Sequence, residues 1–449
     1  MWLIALAAFT AVLAYLYHVN RVIMTTPEEA LRLSPHRWTV EEIKSAYEKA
    51  ASEPTDVSKS VPPKQNRRYI VVGGTGLVGN SIISHLLMRG ESPSAIRILD
   101  LRAPKQDILS KGVAYILTDI TSEQAVQDAF THPWPEDVAN LPLTVFHNAA
   151  VIRPGDRLKA FLPLCRGVNV NGAVNVLNAA KKAGASCFIA TSSGSVCLRR
   201  FPLWFAPWTA PKHMVQVVHD EVKLPEQHDD FFGNYAVVKA EAEHIIRSAD
   251  DTSTNFRTGC IRPVNGIYGI GDTTASVTGN YMKSQGSPSW TYNVIHSFVN
   301  AENVSIAHLL YEQRLLEHPT TKRPDIGGQA FAVTDPNPPV QFDDIYRLLC
   351  TVVQTPMAFP HVPIIPFVLL SYLIEAYSFL QYVYLPRLPR ITGDLATLQP
   401  GLFAIANAHV IGDDSRARQT PEEGGLGFVA PITTLEGMCK EIRAWNDSV

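Results

Sequence analysis

The 449-residue sequence is poor in cysteine, has no surplus of either charge and holds no internal repeat. Six cysteines stand at 165, 187, 197, 260, 350 and 439, with no Cys-x-x-Cys pair among them. Neither a metal site nor a disulfide framework is therefore expected, and a reducing compartment fits. Lys and Arg number 39 against 42 for Asp and Glu, a formal net charge of −3. A nucleic-acid partner would call for a basic excess, so none is expected. No low-complexity tract interrupts the chain. The 46% hydrophobic content excludes a disordered protein. The 27 glycines and 32 prolines follow no collagen-like period. The length leaves room for two or three domains with full cores.

Long apolar runs are also scarce. The first, Trp2–Tyr17, is apolar apart from one Thr and two Tyr. A spanning helix wants about 17–25 such residues, and His18, Val19 and Asn20 extend the run toward an interface. No basic stretch precedes it and no small-x-small site follows it, which argues against a cleaved signal. Arg21, Arg32 and Arg37 follow it, so the positive-inside rule puts the rest of the chain in the cytosol. Residues 1–20 are expected to form a single-pass membrane anchor, and 21–67 a helical and linker segment. The second run, Val362–Leu385, carries Glu375 in its middle and prolines at 363, 366, 386 and 389. A charge at bilayer centre is expensive. A monotopic patch or a helix pair dipping into one leaflet suits this run better than a span; a core helix is the plain alternative.

Thr26-Pro27-Glu28-Glu29 and Thr39-Val40-Glu41-Glu42 have capping-box spacing and predict two short helices. From Tyr69 the pattern alternates. Strands are expected at Tyr69–Val72, Ile96–Leu99, Val113–Leu117, Thr144–His147, Cys187–Ala190 and Gly259–Arg262. Helices are expected at Leu77–Arg89, Val168–Ala183 and Tyr235–Arg247. Such alternation predicts an α/β fold with a doubly wound parallel sheet and right-handed crossovers.

Gly73-Gly74-Thr75-Gly76-Leu77-Val78-Gly79 follows the first strand and opens the first helix. Glycines there permit positive φ and let a pyrophosphate approach backbone N–H groups at a helix N-terminus. Asp100 lies 21 residues after Gly79, at the end of the second strand. A carboxylate there binds ribose hydroxyls and repels a 2′-phosphate, favouring NAD over NADP; Arg102 softens that preference. Asp119-Ile120 follows the third strand, either to accept from an adenine amino group or to cap the helix expected at Thr121–Phe130.

Tyr235-Ala-Val-Val-Lys239 puts a phenol and an amine on one helix face. An ammonium close by is expected to lower the phenol's pKa from about 10 by about 1–3 units. Tyr235 then serves as general base on an alcohol, or as acid in reverse. Thr191-Ser192-Ser193 closes the fifth strand at the edge where such sheets bind ligands, and a hydroxyl there can hold the substrate oxygen. Asn169 is either a water-holding relay residue or a structural amide.

Taken in order, Gly73–Gly79, Asp100, Thr191–Val196, Tyr235–Lys239 and Arg262-Pro263-Val264-Asn265-Gly266-Ile267-Tyr268-Gly269 resemble the extended short-chain dehydrogenase/reductases. Phe298-Val-Asn300, Asn303, His308 and Gln329-Ala-Phe-Ala-Val-Thr334-Asp335 narrow the resemblance to the 3β-hydroxysteroid dehydrogenase family. Within it the chain looks most similar to the fungal sterol-4α-carboxylate 3-dehydrogenases, over about residues 68–445.

The resemblance implies a Rossmann-type NAD-binding domain at 68–270 and a smaller C-terminal substrate-binding part at 271–449. It implies Tyr235 as catalytic base or acid, Lys239 as its partner on the nicotinamide ribose, and Ser193 as the catalytic hydroxyl, with Ser192 the fallback. Asn148 and Ala149 would border the cofactor ribose, and Pro263 and Val264 would flank the nicotinamide. The implied reaction oxidises the 3β-hydroxyl of a sterol or triterpenoid, with loss of a 4α-carboxylate as CO₂ if one is present. The implied setting is the endoplasmic reticulum membrane, and a homodimer is compatible. Two other enzymes fit the same residues: a dehydrogenase/isomerase, and an NADPH-dependent ketoreductase of secondary metabolism. A non-enzymatic NAD-binding scaffold is a third alternative, which the intact Tyr–Lys pair opposes.

One stretch departs from the family pattern. Ser193 to Tyr235 is long and contains Phe201-Pro-Leu-Trp204-Phe205-Ala-Pro-Trp208. It is expected to be a lid, a membrane-facing loop or an insertion packed on its own domain. Asn303 and Asn446 open glycosylation sequons that are irrelevant to a cytosolic domain.

Overall fold

The computed structural model describes every residue except 54, 272–275, 318–320 and 449. Its strands are β1 (Arg68–Val72), β2 (Ile96–Asp100), β3 (Ala114–Leu117), β4 (Leu143–His147), β5 (Ala185–Thr191) and β6 (Val215–Val218). They continue with β7 (Arg257–Pro263), β8 (Gly266–Tyr268), β9 (Ile295–His296) and β10 (Phe298–Asn300). The last are β11 (Gln329–Val333), β12 (Val340–Gln341) and β13 (His409–Gly412).

Seven strands form one sheet in the order β11-β7-β5-β4-β1-β2-β3. Every pairing in it is parallel. Helices cover both faces, so the inner strands are apolar on both sides and lack the alternation of a half-exposed strand. Ile70 and Val72 face one core with Val145 and Phe188; Tyr69 and Val71 face the other with Ile189 and Phe331. The strand order reverses between β1 and β4. That reversal opens a crevice at the carboxyl ends of the strands, where ligands of such sheets bind.

The C-terminal part expected from residue 271 also contributes to this sheet. The helix Ala301–Glu317 packs Val304, Ile306, Leu309 and Tyr311 into its core, and β11 pairs with β7. A second sheet, β12-β9-β13-β6, takes β6 from the long stretch between Ser193 and Tyr235. That stretch is therefore partly an insertion packed into the fold. Of the two expected capping boxes, Thr39 makes one with Glu42. Thr26 does not: Pro27 is the N-cap, and the Thr26 hydroxyl donates to the Asn293 carbonyl at 2.7 Å. Both sequon asparagines are buried. Asn303 donates to Asp335 and Ile432, and Asn446 to Tyr47 and Val352.

The helix Trp2–Ile23 is long and apolar enough to cross a membrane. Residues 1–14 are exposed, while Val19 and Ile23 are buried against the protein. The helix Ile365–Val383 buries Val368, Ile374 and Glu375 and exposes Leu369, Leu370, Leu373, Leu380 and Val383. Glu375, costly in lipid, accepts two hydrogen bonds from Arg157, both at 2.8 Å. Its charge is therefore satisfied inside the protein.

Candidate active site

β1 runs into the glycine turn, and the helix Leu77–Met88 leaves it. Gly73 has φ +75°, and a Cβ on it would fall 2.5 Å from the Ala149 nitrogen. A Cβ on Gly79 would fall 2.2 Å from the Gly73 carbonyl oxygen. Only glycine fits at either point. At Gly76 the nearest atom is 3.6 Å away, so the outer face of the turn stays open. A cavity of about 190 Å³ lies there, lined by Thr75, Gly76, Leu77, Arg102 and Lys105. Val78 is buried in the sheet's core and anchors the helix.

Asp100 reaches back to this turn. Its Oδ2 accepts from Thr75 N at 3.1 Å and Thr75 Oγ1 at 2.7 Å, and its Oδ1 accepts from Arg102 N at 3.1 Å. Asp119 is turned to local work: its Oδ1 accepts from the Thr121 amide and hydroxyl. The helix that follows is capped by Ser122 instead of Asp119. Ile120 packs tightly against Gly172.

At the end of β4, Asn148 accepts from the Thr191 hydroxyl at 2.6 Å. Its Nδ2 is buried with no hydrogen-bond partner among the described residues. A buried unpartnered amide beside the Gly73–Ala149 contact is a donor awaiting an acceptor. Together with the cradle that no side chain can fill, it fits a dinucleotide's ribose and phosphates. Asn169 bonds the backbone of Val151 through both amide atoms. Its Oδ1 accepts from Val151 N at 2.8 Å, and its Nδ2 donates to Val151 O at 2.9 Å. These bonds give Asn169 a structural role in holding the chain at Val151.

The helix Asn234–Arg247 carries Tyr235 and Lys239 past the end of β5. The Ser193 hydroxyl lies beside the Tyr235 phenol, near enough to favour its ionised form. Ser192, the fallback, points away and donates to Glu243 Oε2 at 2.5 Å. Lys239 is buried and donates to the Thr191 carbonyl at 2.6 Å. Burial pushes Tyr235 up to about 12, with the neighbouring Ser193 hydroxyl pulling the other way. The expected lowering by Lys239 is absent. Desolvation of the phenolate sets the direction instead, and burial drops Lys239 itself to about 8. His147, buried beneath, falls to about 3 through burial and then the Lys239 charge, so it is neutral.

Glu243 was not foreseen. It stands one helical step beyond Lys239, continuing the four-residue spacing from Tyr235, and that spacing was its only signal. Burial raises its pKa, but the Arg262 hydrogen bonds and charge more than offset this. Arg262 Nε donates to Glu243 Oε2 at 2.9 Å, and Arg262 Nη2 donates to Oε1. The carboxylate thus ties the serine turn and the exit of β7 to the helix that carries Tyr235 and Lys239. Pro263 and Val264 follow that exit and pack on Gly194, whose Cβ would lie 3.1 Å from the Pro263 carbonyl oxygen and the Val264 Cα.

A family profile for the 3-beta hydroxysteroid dehydrogenase/isomerase family matches residues 70–358. The chain belongs to that family. It is an oxidoreductase, and its relatives are dehydrogenases. The decarboxylating sterol-4-alpha-carboxylate 3-dehydrogenase of Candida albicans is 28% identical over 284 residues, 60% of this chain and 70% of that one. The human sterol-4-alpha-carboxylate 3-dehydrogenase, decarboxylating, is 27% identical over 290 residues, 63% of this chain and 66% of that one. Among solved structures, the UDP-glucose 4-epimerase of Thermotoga maritima superposes on this dehydrogenase with a TM-score of 0.57 at 15% identity. That match covers 85% of this dehydrogenase and 99% of the epimerase. At such identity the likeness shows the Rossmann-like fold alone.

Proposed function

We propose that this dehydrogenase oxidises the 3β-hydroxyl of a sterol or triterpenoid, using NAD⁺ in preference to NADP⁺. The observation that carries the reaction is the placing of Tyr235 beside Ser193 at the carboxyl edge of the sheet, with Lys239 one turn on. Tyr235 takes the hydroxyl proton and Ser193 holds the oxygen. Lys239, fixed by Thr191, keeps a positive charge near the phenolate and offers a donor to a ribose. The glycine turn and Asn148 hold the dinucleotide, and Asp100 receives ribose hydroxyls. A bound nicotinamide supplies the hydride acceptor. The names of the relatives support a substrate with a carboxylate on the neighbouring carbon. Its oxidation yields a β-keto acid, which loses CO₂ because the electrons flow into the new carbonyl.

The neutral phenol is the resting form at a pKa of about 12. It is ready to act as acid toward a ketone, and must lose its proton before it acts as base. Oxidation is therefore expected to speed up as pH rises above neutrality.

The apolar helices support a membrane setting, the endoplasmic reticulum in this proposal, with the catalytic part in the cytosol. Residues 1–14 reach about 20 Å at 1.5 Å per residue, against about 30 Å of hydrocarbon. They enter one leaflet deeply. A full crossing also needs the turn from Tyr15 to Val19, which is packed on the protein.

Microsomes carrying the full chain test the proposal. They are offered NAD⁺ or NADP⁺ with 3β-hydroxysterols, with and without a 4α-carboxyl group. Cofactor reduction and CO₂ release are followed. Tyr235→Phe is expected to lower turnover by roughly 10²–10⁴-fold. Undiminished turnover in that variant overturns the assignment, and a preference for NADP⁺ overturns the role given to Asp100.

A further inference from the structure

Outside the cofactor crevice, a cavity of about 390 Å³ is lined by Arg157, Lys159, Arg200, Asp229 and Phe379. Three cations meet one carboxylate there. Arg157 has its own partner in Glu375, at 2.8 Å, and stacks over the Tyr372 ring at 5.1 Å. Asp229 is held by a 2.9 Å contact to His228. Arg200 gives its Nε to the Phe231 carbonyl at 3.1 Å, but its Nη2 is buried without a hydrogen-bond partner among the described residues. Lys159 is exposed. Burial, and then the Arg157 charge, disfavour the Arg200 cation, while the Asp229, Glu375 and Asp230 carboxylates favour it. A guanidinium held under that pressure with a donor unused is suited to an anion with several acceptor oxygens.

We propose that this cavity binds the phosphate group of an anionic membrane lipid. The inference rests on the membrane setting proposed above. Phe379 belongs to the helix Ile365–Val383, whose exposed residues include Leu373, Leu380 and Val383. A phosphate carrying acyl chains meets the cations with its head and that apolar face with its chains. Free phosphate meets only the cations.

The test floats the purified full chain with vesicles of phosphatidylcholine, or of phosphatidylcholine mixed with phosphatidic acid. Binding to both is expected, and to the mixed vesicles at least about fivefold more tightly. Arg200→Gln with Lys159→Gln should remove the gain and keep phosphatidylcholine binding. Lys181→Gln with Lys182→Gln removes the same charge elsewhere and should keep the gain. A gain that survives in the cavity variant overturns the site. No gain in the unaltered chain overturns it too, although phosphatidylcholine binding would still support the anchor. Loss of binding to every vesicle overturns the anchor and the lipid together. Inorganic phosphate is the second arm. If it raises the Tm of the unaltered chain and not of the cavity variant, with no vesicle gain, the ligand is soluble phosphate and the lipid assignment fails.

Discussion

Lys239 donates its ammonium proton to the Thr191 carbonyl, 2.6 Å away, from a fully desolvated position. The contact joins the helix of Tyr235 to the end of β5, the strand that leads into Ser193. It also means that the amine which helps the chemistry is held at a cost to the fold. The functional and stability consequences of removing it should therefore have opposite signs.

Burial lowers Lys239 from 10.5 to about 8, with smaller opposing contributions from Cys260 and Glu243. Below pH 8 both folded and unfolded chains hold this proton, and the folded chain carries the burial penalty in full. Between about 8 and 10.5 the unfolded chain keeps a proton that the folded chain has lost, so stability rises with pH. The shift is worth about 3 kcal/mol at most, less about 1 kcal/mol for the Thr191 hydrogen bond. Lys239→Met should raise Tm at pH 7 by several degrees and flatten its rise above pH 8. Turnover should fall more than a hundredfold. Calorimetry across that pH range checks the first outcome; an unchanged or lower Tm at pH 7 contradicts it.

Glu243 has the reverse balance. Its side chain is 1% exposed and its partner Arg262 is 2% exposed. Glu243→Ala strands a buried guanidinium and should destabilise the protein by about 3–5 kcal/mol. Glu243→Gln keeps one acceptor, so it should fold with a smaller loss. Its defect should appear in kcat, lowered roughly tenfold as the Ser192–Ser193 turn loosens, with KM for NAD⁺ little changed. A purely structural carboxylate would lower Tm and leave kcat per folded molecule alone. Titrating folded enzyme before measuring kcat separates the two.

The sheet was legible because its strands are short β-branched runs between turn residues, and the helices show a clear 3.6-residue period. Gly73, Gly76 and Gly79 were legible because close backbone approach admits only glycine at two of them. Asn169 and Asp119 were ambiguous because an amide or carboxylate at a turn serves backbone and ligand equally well. Three-dimensional contacts show which backbone each one serves, Val151 for one and Thr121 for the other. The sign of the Tyr235 shift was missed for another reason. Sequence spacing reports that a cation is near, but not how much water the fold removes from the phenol.

Trp204 lies between the two apolar helices. Its Nε1 donates to the Tyr372 hydroxyl at 3.0 Å, and its ring stacks on Tyr15 with centroids 6.4 Å apart. Tyr15 in turn donates to the Phe205 carbonyl at 3.0 Å. Tyr235 packs on the same hydrophobic cluster. This aromatic bridge fits a lid shared by the active site and the anchor. Trp204→Ala should raise KM for a sterol several-fold, leave KM for NAD⁺ unchanged, and speed proteolysis after Arg21. Equal changes in both KM values would exclude a lid specific to the apolar substrate.

Two buried carboxylates give the fold an acid-side signature. Burial raises Glu441 from 4.5 to about 7 against hydrogen bonds from Ser276 and Thr278. Asp335 rises from 3.8 to about 6 despite donors from Asn300, Tyr268, Asn303 and Thr434. A carboxyl group whose folded pKa is raised holds its proton longer in the folded chain. Its contribution is complete below the unfolded value and is lost as pH climbs through the folded one. These two groups therefore contribute a decline in stability from about pH 4 to about pH 7, against a rise below about pH 6.5 from His147, His296, His308 and His409, which burial keeps neutral in the fold. Glu441→Gln fixes the neutral form at one site. At pH 8 it should be more stable than the unaltered chain by about 3 kcal/mol, and near pH 4 the two should match. Urea melts at the two pH values decide it. A variant equally destabilised at both would mean that the glutamine fails to reproduce the Ser276 and Thr278 contacts, and that ionisation at this position is not what limits the fold.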